Sequence, residues 1–176
     1  MTTPSQLADH QAITEQIYRY CRAMDRIDHE LGYSIWHDDG TADYGHNFQG
    51  TGRAFIDHVC AQHRQLLMHS HQMSNILIDI NGDHAGSESY VTATLRMRRE
   101  SKLLQITAIS RYVDRWSRRG GRWAIDHRIA IMEMDEIREV SPMKVHERAT
   151  RDRTDPSYAV LPMSPATSTK GSPPTA

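Results

Sequence analysis

Lysine is scarce in this chain of 176 residues: only Lys102, Lys144 and Lys170 are present, so amine chemistry such as Schiff-base formation has little to work with. Cysteine is scarcer still. Cys21 and Cys60 fall in segments read as separate helices, with no CxxC spacing and no companion ligand pattern, which argues against both a disulfide framework and a structural zinc site. Long apolar runs are missing too: no stretch approaches the ~18 residues of a membrane-spanning helix, and MTTPSQLADH lacks the basic and apolar regions of a secretory signal. The expectation is a cytoplasmic protein with no membrane partner. Charge of one sign is not in excess, since 21 Lys and Arg stand against 22 Asp and Glu, and a net charge of −1 gives no reason to expect nucleic acid. Gly50-Thr51-Gly52 lacks the glycine and basic residue of a phosphate loop or dinucleotide fingerprint, and no GxSxG elbow occurs. No cofactor is expected, and acid–base chemistry is what remains.

The length fits one domain. From Pro4 to about Ile27, apolar residues at Ile13, Ile17, Tyr20, Met24 and Ile27 keep the three-and-four spacing of an amphipathic helix. A short second helix is read over His29 to Trp36, ending in the turn-rich His37-Asp38-Asp39-Gly40, with a short strand over Thr41 to Tyr44. Arg53 to about Leu67 reads as a third helix. Strands follow over His71 to Ile80, His84 to Met97, Leu103 to Trp116 and Arg122 to Met132, with Asn81-Gly82-Asp83 and Gly120-Gly121 marking hairpin turns. Helices followed by consecutive hairpins imply an α+β domain over 1–140, with the N-terminal helices packed on a curved antiparallel sheet that encloses a pocket. Residues 141–176 read as a mostly disordered tail, because proline, serine and threonine dominate from Ser164 to Ala176; Arg148 to Arg153 is the stretch suited to packing on the domain or a neighbouring subunit.

Three places carry candidate chemistry. Asp25 lies at the edge of the helix-one apolar stripe, where desolvation makes a carboxylate a better proton acceptor; the competing reading is a turn cap or a pair with Arg22 or Arg26. His69 and His71 stand two apart on a strand and so share a face, suited to proton exchange with a bound molecule; a metal half-site lacks supporting ligands, and ordinary packed histidines are the alternative. Arg128 alternates with Asp126 and Ala124 on one face of the last strand, opposite Trp123 and Ile125, either inward to hold an anion or outward in solvent. Trp36 and Tyr44, in the early loops, are suited equally to lining the mouth of a pocket and to core packing.

Taken in order, Tyr20-Cys21-Arg22-Ala23-Met24-Asp25-Arg26, His71 with Asn75 four residues on, and Gly121-Arg122-Trp123 followed by Arg128 resemble the SnoaL-like branch of the nuclear-transport-factor-2-like superfamily, over about residues 5 to 135. The resemblance implies a cone-shaped fold, a hydrophobic small-molecule substrate, and a homo-oligomer, dimer or trimer. Asp25, His71 and Arg128 look like matches to the dyad and arginine of hexachlorocyclohexane dehydrochlorinases, which implies that His71 removes a proton from carbon, Asp25 steadies the imidazolium and Arg128 accommodates the leaving group. Tyr20, five residues before Asp25, matches the tyrosine spacing of bile acid 7α-dehydratase, so a substrate hydrogen bond from Tyr20 and loss of water are also implied. His69 and Asn75 join Tyr20, Trp36 and Tyr44 as expected substrate-contacting residues. The second, protonated aspartate of ketosteroid isomerase has no clear match; Asp79 and Asp114 are nearest. Three functions stay open: an elimination, a cofactor-free isomerisation or cyclisation, and ligand binding without chemistry.

Overall fold

The computed structural model describes residues 4–142, 144 and 147–161. The first helix, α1 (Pro4–Arg26), forms along the expected stripe and buries Ile13, Ile17, Tyr20 and Met24. It ends in a double carbonyl cap: the Ile27 N–H donates to Met24 O at 3.2 Å and the Asp28 N–H to Ala23 O at 2.9 Å. The residue that makes this turn is a β-branched isoleucine at φ 51°, a left-handed conformation that costs about 1–3 kcal/mol and persists only where neighbours impose it. Asp28 then caps α2 (His29–Tyr33), its side chain accepting from the Leu31 N–H at 3.1 Å.

The chain turns to strand sooner than its turn-forming residues suggest. The first strand, β1 (Trp36–Asp43), runs through His37-Asp38-Asp39-Gly40, which is held between Trp36, paired with Ile125, and Thr41, paired with His127, and where the register against that distant strand shifts. Gly40 is required by that approach: a Cβ there would lie 2.6 Å from Ile125 O. After the short β2 (Gln49–Thr51), Thr51 caps α3 (Gly52–Arg64), and the missing side chain of Gly52 makes room for the Trp36 ring.

Four long strands complete the sheet: β3 (Met68–Asn81), β4 (His84–Arg99), β5 (Lys102–Arg119) and β6 (Arg122–Glu139). Gly82, Gly120 and Gly121 take positive φ in the connecting turns, as the hairpin signals require. The strand order is β2-β1-β6-β5-β4-β3; the meander β3 to β6 is antiparallel, while β1 joins β6 in parallel. Strand β6 continues seven residues past the expected Met132, along an exposed stretch paired to β5, where no burial pattern marks it. The helices cover one face of this sheet, and the core between them holds Trp116, Trp123, Ile125, Ile35, Ile56 and the buried face of α1.

Part of the segment after residue 140 packs against the domain: through Arg151 and Arg153, within the stretch read as suited to packing, and also through Asp155, Ser157 and Tyr158, which the reading of a mostly disordered tail did not include. A helix of one turn, α4 (Ser157–Val160), sits over the end of α1 through a chain of polar contacts: Arg26 Nη1 donates to Thr150 O and to Asp155 Oδ2, both at 2.6 Å, and Tyr158 Oη donates to Asp28 Oδ2 at 2.7 Å. The Ser164 to Ala176 stretch lies outside the described residues.

Candidate active site

Asp25 and His71 meet. The Asp25 carboxylate accepts from His71 Nδ1 at 2.7 Å and from the His71 backbone N–H at 3.1 and 3.2 Å to its two oxygens. An ionised carboxylate only accepts, so Nδ1 carries the proton and Nε2 of the neutral ring is the acceptor. Both side chains are mostly buried, His71 at 7% and Asp25 at 16% exposure. The capped end of α1 sets the carboxylate's direction, because the strained turn at Ile27 begins two residues beyond it. What the pair can do is take a proton at Nε2 and stabilise the resulting imidazolium with a fixed negative charge.

His69 shares the face of His71 but not its role. Its Nε2 lies 2.8 Å from Met24 O and its Nδ1 lies 3.1 Å from Arg151 Nη1, so both ring nitrogens are engaged by protein, and the expected substrate contact is corrected to a structural one. His63, from α3, packs against His69 with ring centroids 4.2 Å apart and against His71 at 5.4 Å, both pairs tilted. Burial first, then the neighbouring His69 and His71, push the His63 ring down to about 3 and lower His69 below the usual histidine range. Sequence reading missed His63, a histidine on a polar helix turn with no periodic signal, and, although it marked Arg148 to Arg153 as suited to packing, it gave Arg151 no place at the site.

Arg128 is fully buried and faces inward. The strand alternation that grouped it with Asp126 and Ala124 fails, because a register shift between Ile125 and His127 leaves Asp126 as an extra residue and changes which face later residues take. Arg128 therefore joins Ile125 and Trp123 in the core. Its Nε and Nη2 donate to the two oxygens of Asp114, each at 2.7 Å, and its guanidinium lies 4.3 Å from the Tyr20 ring centre, 4.1 Å from Tyr112 and 5.8 Å from Trp36. Among the described residues its Nη1 has no hydrogen-bond partner. Asp114 is thus the arginine's counter-ion, not a protonated donor, and Asp79 is exposed on β3.

An aromatic wall surrounds Arg128. Tyr20 and Tyr44 share a hydrogen bond at 3.0 Å between their hydroxyls, Tyr20 meets Tyr112 edge-on at 5.6 Å, and Tyr44 stacks on Phe55 at 4.0 Å. Burial raises all three tyrosine hydroxyls, so they remain neutral donors. Cys21 links this wall to the dyad: burial and then Asp25 push its thiol up to about 12 while Arg128 pulls the other way, so it lies within electrostatic reach of both. Trp36 is at 2% exposure against Gly52 and Phe55, which places it in the core instead of at a mouth. Asn75 is exposed, at φ 47° where the β3 ladder is interrupted, so what it supplies is a backbone bend in place of the expected substrate contact.

Residues 5–129 match the profile of a SnoaL-like domain. The chain belongs to the SnoaL-like family. Solved structures agree in fold. LinA superposes with a TM-score of 0.71 at 17% identity, covering 83% of this chain and 99% of LinA. A hexachlorocyclohexane dehydrochlorinase of the LinA type 2 form gives 0.67 at 16% identity, covering 80% of this chain and 95% of its own. A scytalone dehydratase, so named provisionally, from Novosphingobium aromaticivorans gives 0.64 at 25% identity, over 80% of this chain and 97% of its own. No curated protein matches the sequence. As a member of the SnoaL-like family, the chain has the cone-like α+β architecture of helices on a curved sheet, and among the described residues no helix is long and apolar enough to cross a membrane.

Proposed function

We propose that this SnoaL-like protein is a cofactor-independent lyase that carries out β-elimination on a hydrophobic alcohol or halide. The observation that carries the reading is the Asp25 carboxylate holding His71 by both its ring and its backbone N–H. In the proposed step His71 Nε2 takes a proton from carbon, the C–H electron pair becomes the new carbon–carbon double bond, and the bond to the leaving group breaks with its electrons. Asp25 stabilises the imidazolium, which returns its proton to water or to a departing hydroxyl oxygen. Arg128, through its unpaired Nη1, accommodates the leaving group, and the tyrosine and phenylalanine wall suits an apolar substrate body. Proteins of the same fold that are called a dehydrochlorinase and a scytalone dehydratase support the reaction class.

The test is turnover of a panel of halogenated and hydroxylated hydrophobes, with product mass as the readout. Elimination removes water or hydrogen halide, whereas isomerisation leaves mass unchanged. His71→Ala is expected to lower turnover by about 10²–10⁴-fold with the fold intact by circular dichroism. Full activity in that variant would overturn the proposal, and unchanged product mass would replace elimination by isomerisation.

A further inference from the structure

The contacts that fasten residues 150–158 to the domain converge on the dyad from behind. Arg151 Nη1 donates to His63 O at 2.9 Å and approaches His69 Nδ1 at 3.1 Å, while its Nη2 donates to Leu66 O at 2.8 Å. The two carbonyls belong to the end of α3 and the residues just after it, and His63 O also accepts the Leu66 N–H at 3.1 Å. One guanidinium therefore ties the end of α3 to the start of β3. The rest of the segment grips α1 on either side of Asp25: Arg22 Nη1 donates to Ser157 Oγ at 2.9 Å, Arg26 to Thr150 O and Asp155, and Arg153 Nη2 to Asp28 Oδ1 at 3.3 Å.

The consequence for His69 follows from donor chemistry alone. A guanidinium has no acceptor, so His69 Nδ1 must accept and Nε2 must carry the ring's proton, which it donates to Met24 O. Met24 O belongs to the peptide unit that leads into Asp25, and it also accepts the Ile27 N–H that closes the strained turn. We propose that Arg151 is a positioning residue for the Asp25–His71 pair: through His69 it fixes the carbonyl that precedes Asp25 and thereby the aim of the carboxylate. The charged and titratable groups around His69 come from every packed element: Asp25 from α1, His63 from α3, His71 from β3 and Arg151 from the segment itself. With His69 held neutral, no second cation competes with His71 for Asp25.

The inference rests on reading Asp25 and His71 as the proton-transferring pair, but its test reads the imidazoles directly, so the two can fail separately. Histidine side chains of the full-length protein are followed by long-range ¹H–¹⁵N spectra across pH for wild type, Arg151→Met and Arg151→Lys. Wild type is expected to show His69 as the Nε2–H tautomer and a slowly exchanging His71 Nδ1 proton. In Arg151→Met, His69 should keep the Nε2–H that Met24 O holds but take up a second proton, at the freed Nδ1, at a pH higher by about one unit, as a freed nitrogen beside Asp25 allows. The His71 Nδ1 proton should exchange about tenfold faster, the effect of a modest loosening of the pair. Arg151→Lys, which keeps a cationic donor, should restore the wild-type His69 titration and His71 exchange. Unchanged His69 and His71 signals in Arg151→Met, with only global stability reduced, would overturn the proposal. Should Arg151→Met fail to fold, the double variant Arg153→Ala/Tyr158→Phe loosens the same segment at Asp28, and unchanged His69 titration and His71 exchange there would count equally against it.

Discussion

Acidification from pH 7 to pH 5 should weaken the folded state through His63, a residue with no assigned chemical role. Its ring is 7% exposed, packed 4.2 Å from His69, and burial with two histidine neighbours holds it at about 3 against 6.5 for the free side chain. The sign follows from which state takes the proton. As pH falls through 6.5 the unfolded chain binds a proton at this position, while the folded chain stays neutral until about 3, so stability present above 6.5 is lost progressively between those values. At pH 5 the unfolded side chain is 1.5 units below its midpoint, and at about 1.36 kcal/mol per unit the loss is about 2 kcal/mol. For a domain of this size that corresponds to a fall in Tm of about 4–8 °C. Urea unfolding at pH 7 and pH 5 measures the loss in wild type. The variant His63→Phe keeps a ring in that place and removes the titration, so its loss between the two pH values should be smaller by about 2 kcal/mol. Equal losses in the two proteins would refute the argument, because both share every other titrating group, including His69, whose own lowered value contributes with the same sign.

Two further outcomes test the packing around Arg128. Gly52→Ala would place a methyl carbon 2.2–2.6 Å from atoms of the Trp36 ring, so the ring or the start of α3 must move; a loss of about 1–3 kcal/mol is expected in urea unfolding, with quenching or a shift of tryptophan fluorescence. Asp114→Asn leaves the Arg128 charge buried without its counter-ion and should cost about 3–5 kcal/mol, whereas the double variant Arg128→Met/Asp114→Leu should recover most of that, since a buried pair replaced by apolar groups of similar volume is often close to neutral. A double variant as unstable as Asp114→Asn alone would show that the pair holds the fold together.

Local signals carried much of the architecture. The α1 stripe, the three helices, and the glycine turns at Gly82 and Gly120 were readable because each is set by residues adjacent in the chain. The meeting of Asp25 with His71 was legible for a different reason, the resemblance of separate motifs to a known family. What escaped was decided by distant partners. His37 to Gly40 is carried within a strand because the residues on either side of it, Trp36 and Thr41, pair with Ile125 and His127 of β6, and Arg128 faces the core because one extra residue at Asp126 changes the alternation. Arg151 reaches His69 across 82 positions of sequence by polar contacts alone, which leave no hydrophobic periodicity to detect.

Strand β3 forms one border of the sheet; near its start the His71 N–H is taken by Asp25 of α1, and the rest of its outer side would offer backbone as a template for another chain. The left-handed turn at Asn75 interrupts that border, because the register against β4 jumps between Ser74 and Leu77. An incoming strand that paired with one half of β3 would fall out of step with the other. The border is divided into two runs, each a poorer seed for edge-to-edge aggregation than one straight strand, and this guards the flank where Leu77 lies exposed.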